Sequence, residues 1–283
     1  MIDLVTTYAP LVDEKFTRES KRSLVTNQDY SFDGSHTIKI YKIGTAGMND
    51  YKRSGDANGS RYGTPTMLSA TTETLTMRKD RSFTYEIDRL DANETNGTLA
   101  AGSSLERQLR EVAIPEVDAY TYNEMWTNAG SKADEVAITD ANIYDLIVDA
   151  NQKMDDAEVP ETGRVLIVTP AIYLLLKKSK DIVLNTEIGA DMRLKGVISN
   201  LDGLDIQKIS ANRLPKNFGF MIAHPCATVA PLKLENYRIH QDPPGISGDL
   251  VEGRLAYDAF VLENKAKAIH IQPNKAAEQI KSS

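Results

Sequence analysis

The run Leu109-Arg110-Glu111-Val112-Ala113-Ile114-Pro115-Glu116-Val117-Asp118-Ala119-Tyr120 lies inside a longer helical pattern of a 283-residue chain. Leu105, Leu109, Val112, Val117, Tyr120 and Met125 recur at spacings of three to five residues, close to the helical period. Ser103 or Ser104 offers an N-cap, Glu106 or Arg107 opens the first turns, and Gly130 stands where a left-handed C-terminal cap belongs. Pro115 removes one backbone donor, which predicts a kink or a split into two stacked pieces. A helix of about 25 residues would be about 37 Å long, a strut more than a packing element.

Before the strut, the first thirty or so residues lack a sustained period and read as an extended arm. Ile38 and Ile40 then alternate with His36, Lys39 and Tyr41 as a strand does. From Gly44 to Pro65 the pattern stops. Gly44, Gly47, Gly55, Gly59 and Gly63 are interleaved with Lys52, Arg53, Asp56 and Arg61, and Asn58-Gly59 signals a tight turn. Strand pattern returns at Thr74–Met77, turns near Lys79-Asp80, and resumes as Phe83, Tyr85 and Ile87 alternating with Thr84, Glu86 and Asp88. A polar tip of about twenty residues is long for a hairpin loop, and it cannot bury itself. An arm that gains order against a neighbouring subunit fits that pattern.

After the strut, Ile143, Leu146, Ile147, Ala150 and Met154 fall on one face of a second helix, capped by Thr139 or Asp140. Arg164–Thr169 reads as a buried strand, and Pro170 opens another helix carrying Tyr173 to Leu176 and a basic end at Lys177, Lys178 and Lys180. Later strands are expected at 206–209, 218–223, 228–234, 254–262 and 268–271, followed by a frayed tail. Strands and helices in this order predict an α+β fold. Trp126 is expected to close the core beneath the long helix.

Composition is that of an ordinary globular protein, 41% hydrophobic and 26% charged, and the net charge of -7 argues against a broad phosphate-gripping surface. One cysteine, Cys226, forbids an intramolecular disulfide. The N-terminus shows no signal-peptide pattern, and no apolar run is long enough to cross a bilayer. The sequence contains no GxxxxGK[ST] loop, no GxGxxG turn and no G-x-S-x-G elbow. The four histidines, His36, His224, His240 and His270, lack helical zinc-site spacing. His224-Pro225-Cys226 reads as a strand end with a buried thiol. Asp91, Asn93 and Glu94 open like a calcium loop, but Asn96 and Gly102 stand where its glycine and glutamate belong. Asp155, Asp156 and Glu158 are expected on a solvated flank. No catalytic, cofactor or metal residue is expected.

The run at 109–120, with its Arg110-Glu111-Val112, Ile114-Pro115-Glu116 and Asp118-Ala119-Tyr120 segments, resembles those of the major capsid proteins of tailed bacteriophages, the Hong Kong 97 type fold. Arg254–Leu262 with Lys265 and Ile269 is similar to that family's closing strands. The resemblance implies an N-terminal arm (1–32), an extended loop (33–78), a peripheral domain with the spine helix (79–134 and 251–275), an axial domain (135–250) and a flexible tail (276–283). It also implies Arg110, Glu111, Pro115, Glu116, Asp118 and Tyr120 as the spine motif, and Tyr51, Lys52, Arg53, Arg61 and Tyr62 as contacts between subunits. On the residues alone, the tip cations fit either a partner's acidic surface or an exposed loop. Further implications are pentamers and hexamers around packaged double-stranded DNA, portal and scaffold partners, no enzyme activity, no membrane, and a virion location after synthesis in the bacterial cytoplasm. An encapsulin-like compartment, another virion structural protein and an α+β enzyme with an unrecognised site are the alternatives.

Overall fold

The computed structural model describes residues 20–27, 37–54, 60–89, 101–179 and 200–275. Most of the arm, the Asn58-Gly59 turn, the Asp91–Gly97 segment and the tail lie outside the described residues. The chain divides into two units, Phe32–Arg78 and the remainder.

The smaller unit is a hairpin. Strand β1 (Thr37–Ile43) pairs antiparallel with β2 (Ala70–Thr76), with Thr37 opposite Thr76 and Ile43 opposite Ala70. β2 starts four residues earlier than Thr74, because Ala70 to Glu73 find ladder partners on β1, with β-branched Thr71 and Thr72 between two weaker strand formers. Lys42 and Glu73 form an ion pair at 3.1 Å.

In the larger unit, β3 (Lys79–Asp88) leads to the long helix. That helix comprises α1 (Ala101–Gln108), a π-helical turn (Leu109–Ala113) and α2 (Ile114–Thr127). It is already running at Ala101, so Ser103 and Ser104 are interior residues and not caps. Pro115 neither splits nor ends it. The Ile114 N–H instead reaches back five residues to the Leu109 carbonyl, and the widened turn accommodates the proline ring and its missing donor. The turn also serves packing. Leu105, Leu109, Ala113 and Val117 are all buried at four-residue spacing. In a pure α-helix each such step overshoots by about 40° and would wind the stripe off its partner; a wider turn undoes part of that drift.

The partner is a three-stranded antiparallel sheet in the order β10 (Leu232–Gln241), β11 (Gly248–Tyr257), β3. Its inner face supplies Ile87, Tyr237, Val251, Leu255 and Tyr257 to one core. Gly253 is dictated by contact: a Cβ there would sit 2.3 Å from the Phe83 ring.

The second core surrounds a six-stranded mixed sheet. Its order is β4 (Ser131–Lys132), β13 (Ile269–Pro273), β8 (Phe218–Ala223), β5 (Val165–Val168), β7 (Leu204–Lys208), β6 (Asn200–Leu201). β5 and β8 are buried at every position, as strands covered on both faces must be. α3 (Ile143–Asp156) contributes Ile143, Ile147, Ala150 and Met154, and α4 (Pro170–Lys178) contributes Ile172, Tyr173 and Leu176. Trp126 packs on Phe218 with ring centroids 4.9 Å apart, as expected. Ala230-Pro231 interrupts the strand expected at 228–234, leaving β9 (Thr228–Val229) apart from β10. Likewise 254–262 divides into β11 and β12 (Phe260–Val261), which pairs with β9.

Other local expectations change for physical reasons. Gly130 is not left-handed; its N–H donates to the Ala266 carbonyl at 2.9 Å, and a Cβ would lie 2.5 Å from the Ala266 backbone. Asn142 precedes α3, its Oδ1 accepting from the Thr139 N–H, so neither Thr139 nor Asp140 is the cap. Arg164 is 1% exposed. It donates to the Pro160 and Val159 carbonyls and to Asn151 Oδ1, and it pairs with Asp155 at 2.7 Å. Asp155 therefore closes a buried guanidinium and does not simply line a solvated flank. β10 shares a sheet with β11 and β3, while β13 lies between β4 and β8 in the other.

Candidate functional site

The 109–120 run places its polar groups at structural joints. Glu116 Oε1 accepts from Arg81 Nε on β3 at 2.8 Å and from the Tyr257 hydroxyl on β11 at 3.0 Å, tying the helix to two strands. Asp118 is buried and accepts from Ser20 Oγ at 2.6 Å and Arg213 Nη1 at 2.9 Å. Burial raises its carboxyl above the usual range, against the opposing effects of Ser20 and the arginines. Tyr120 donates to Asp258 Oδ1 at 2.8 Å, and the Lys79 ammonium lies 5.0 Å from its ring. Glu111 pairs with Arg107 one turn earlier, and Arg110 faces solvent. This cluster fastens the arm segment, both strands and the helix.

Beside the π turn, Phe83, Val112, Ala113, Val117 and Leu255 line a depression of about 140 Å³ rimmed by the Arg81–Glu116 pair. Its size suits one side chain.

The hairpin unit brings the other expected residues together. The Lys52 N–H donates to the Arg61 carbonyl at 3.0 Å, and Tyr51 meets Tyr62 edge-on at 5.2 Å. Asn49 Nδ2 donates to the Tyr62 carbonyl at 3.3 Å. Gly63 adopts φ +82°, and a Cβ there would press on the Asn49 side chain. Lys52, Arg53 and Arg61 are all exposed. So are apolar residues: Met48 is 99% and Met67 98% exposed, with Tyr41, Ile43 and Leu68 also uncovered. Among the described residues the tip thus displays cations beside apolar side chains that are left uncovered. Sequence reading found its cations and missed the apolar display, since Met67 and Leu68 carry no signal of exposure.

Residues with chemical potential elsewhere are occupied structurally. His224 Nδ1 accepts from the Cys226 N–H and its Nε2 lies 3.1 Å from the Thr162 carbonyl; burial lowers its pKa. Burial pushes the Cys226 thiol up, away from reactivity. Among the described residues no group of three or more His, Cys, Asp or Glu could hold a metal ion, and no helix is long and apolar enough to cross a membrane.

No family model and no curated protein matches this chain. Solved structures do. A Mycobacterium phage Che8 chain superposes with a TM-score of 0.72 at 20% identity, covering 88% of this chain and 89% of that one. The capsid structure of cyanophage P-SCSP1u gives 0.70 at 13% identity, covering 90% and 87%. A virus-like particle from Pyrococcus furiosus gives 0.57 at 12% identity, covering 94% of this chain and 99% of that one. The mixed α and β fold is that of the tailed-phage capsid structures, the Hong Kong 97 type.

Proposed function

We propose that this chain is a shell-forming major capsid protein, assembling as pentamers and hexamers into a closed icosahedral container for a phage genome. The observation that carries the reading is the match to phage capsid structures across about nine-tenths of both partners. An exposed, apolar-tipped hairpin supports it, since a two-stranded ribbon is marginally stable in water by itself and gains by lying on another surface. Under this reading the chain performs no catalysis. Residues 33–78 reach an adjacent subunit through Tyr51, Lys52, Arg53, Arg61 and Tyr62. The 109–120 run holds the peripheral domain rigid, and 135–250 forms most of the axial domain. Portal, scaffold and non-specifically held double-stranded DNA are the partners, and the virion is the location after synthesis in the host cytoplasm.

An encapsulin-like compartment is the second reading, favoured by the near-complete coverage of the Pyrococcus particle chain. Negative-stain microscopy of the purified full chain tests both. Closed shells or capsomer-sized rings are expected; a monomer that persists at high micromolar concentration, with no particles, overturns the proposal. Nucleic-acid absorbance in particles purified from infected cells supports the phage reading, and co-purified protein cargo supports the compartment.

A further inference from the structure

The methionines of this chain fall into two groups. Of its 8 methionines, Met77, Met125, Met154 and Met221 are buried, the last three inside the core around the six-stranded sheet. Met48 and Met67 stand almost wholly in water. Met1 and Met192 lie outside the described residues. The contrast holds within the hairpin unit itself, where Met77 is 3% exposed. The remaining sulfur, that of Cys226, is half-buried, and burial raises its thiol pKa, which keeps it protonated and slow toward oxidants.

Two backbone ties bring Met48 and Met67 into one section of the ribbon. The Gly44 N–H donates to the Ser69 carbonyl at 2.8 Å, and the Lys52 N–H donates to the Arg61 carbonyl at 3.0 Å. Met48 lies between these ties on one arm of the hairpin, and Met67 lies between them on the other. A third contact, from Asn49 Nδ2 to the Tyr62 carbonyl, falls in the same section. Tyr51, Tyr62 and Leu68 are exposed there too, so the section presents an apolar surface in which two side chains are thioethers. An unbranched thioether adapts to irregular contacts better than a branched side chain does. Unlike Leu or Ile, it turns polar under a mild oxidant.

We propose that Met48 and Met67 form a peroxide-sensitive modification site, whose oxidation in the free subunit stops the hairpin tip from docking on a neighbouring copy. This rests on the shell reading above and gives its tip contact a means of regulation. Each thioether sulfur takes one oxygen atom from hydrogen peroxide and gives up two electrons; the O–O bond breaks, an S–O bond forms, and the other oxygen leaves as water. The sulfoxide oxygen is a strong acceptor. Against the apolar surface of a neighbour it has no donor, so docking buries an unpaired polar group. A contact repeated around a closed shell multiplies that cost. Reductases specific for the two sulfoxide epimers restore the thioether, which makes the block reversible. Once docked, the same side chains are covered, so assembled copies escape the reaction.

The test is peptide mapping by mass spectrometry of the purified full chain, treated with hydrogen peroxide as free subunits and as assembled particles. In free subunits Met48 and Met67 should oxidise about tenfold or more faster than Met77, Met125, Met154 and Met221, whose sulfurs meet water only on local opening. Thermal unfolding of the oxidised subunit should stay that of the parent. In particles both tip sulfurs should be protected about tenfold relative to free subunits. Oxidised subunits should form particles about tenfold or more slowly by light scattering, and methionine sulfoxide reductases should restore the rate. The double variant Met48→Leu, Met67→Leu, compared with itself, should assemble at the same rate before and after peroxide. Equal oxidation of tip and buried methionines overturns the proposal, as does equal oxidation of the tip in subunits and particles. So does an assembly rate unchanged by oxidation, or a double variant as peroxide-sensitive as the parent. If untreated parent subunits form no particles, the shell reading is what fails, and the oxidation map of the free chain still decides whether the two tip sulfurs are the reactive site.

Discussion

His270 sits in β13 with 1% of its surface exposed, its Nδ1 2.8 Å from Ser131 Oγ. Burial, aided by Lys153, lowers its pKa to about 4. Because the folded value lies below the ordinary 6.5, the stability it contributes is present above pH 6.5 and is lost as pH falls toward 4. A depression of that size corresponds to at most about 3 kcal/mol. Asp118 acts in the opposite sense: its raised carboxyl favours the folded state as protonation proceeds, so stability is gained below its folded pKa and lost as pH rises through it. Dissociated subunits should therefore show a lower urea midpoint at pH 4.5 than at pH 7, and His270→Gln should flatten the difference. An equal acid loss in that variant would remove His270 as the cause.

Among the elements, α4 has the clearest local logic. Pro170 occupies its first turn, and the Thr169 hydroxyl accepts from the Ile172 N–H at 3.2 Å in a buried position. Thr169→Ala leaves that donor with neither partner nor water. The expected loss is about 1–2 kcal/mol in chemical denaturation, and Thr169→Ser should recover most of it. Indistinguishable midpoints for Thr169→Ala and the parent would mean another acceptor replaces the hydroxyl. The long helix follows a different logic. Its π turn is set jointly by Pro115 and by a sheet that needs Leu105, Leu109, Ala113 and Val117 on one side. The proline could be read from the chain, but the helix staying continuous across it could not.

Across the whole molecule, the hairpin unit and the larger unit are separately built, and both cores lie outside residues 48–63. Replacing Met48–Gly63 by a short Gly-Ser turn should leave the thermal midpoint of the isolated subunit within a few degrees, since the deleted side chains that are described stand largely in water. Particle formation should stop. Circular dichroism with sedimentation velocity separates the outcomes: a variant that unfolds assigns the tip to a core, and one that still assembles removes it from the interface.

Periodicity alone carried α3, β5, β8 and the opening of α4, because each is amphipathic or wholly apolar over a full element and bounded by proline, glycine or polar residues. The exposure of the tip cations Lys52, Arg53 and Arg61 was legible because they stand in a segment with almost no aliphatic residue. What the sequence could not carry is every feature made by residues far apart along the chain. Gly130 is glycine because the backbone of Ala266 approaches it, Arg164 is buried because two carbonyls, an amide and a carboxylate converge on it, and β11 finds its second partner in β3, about 160 residues earlier in the chain. Lys21, Lys177 and Lys208 become one surface only when three elements meet at Tyr173, since electrostatic fields add through space and not along a chain.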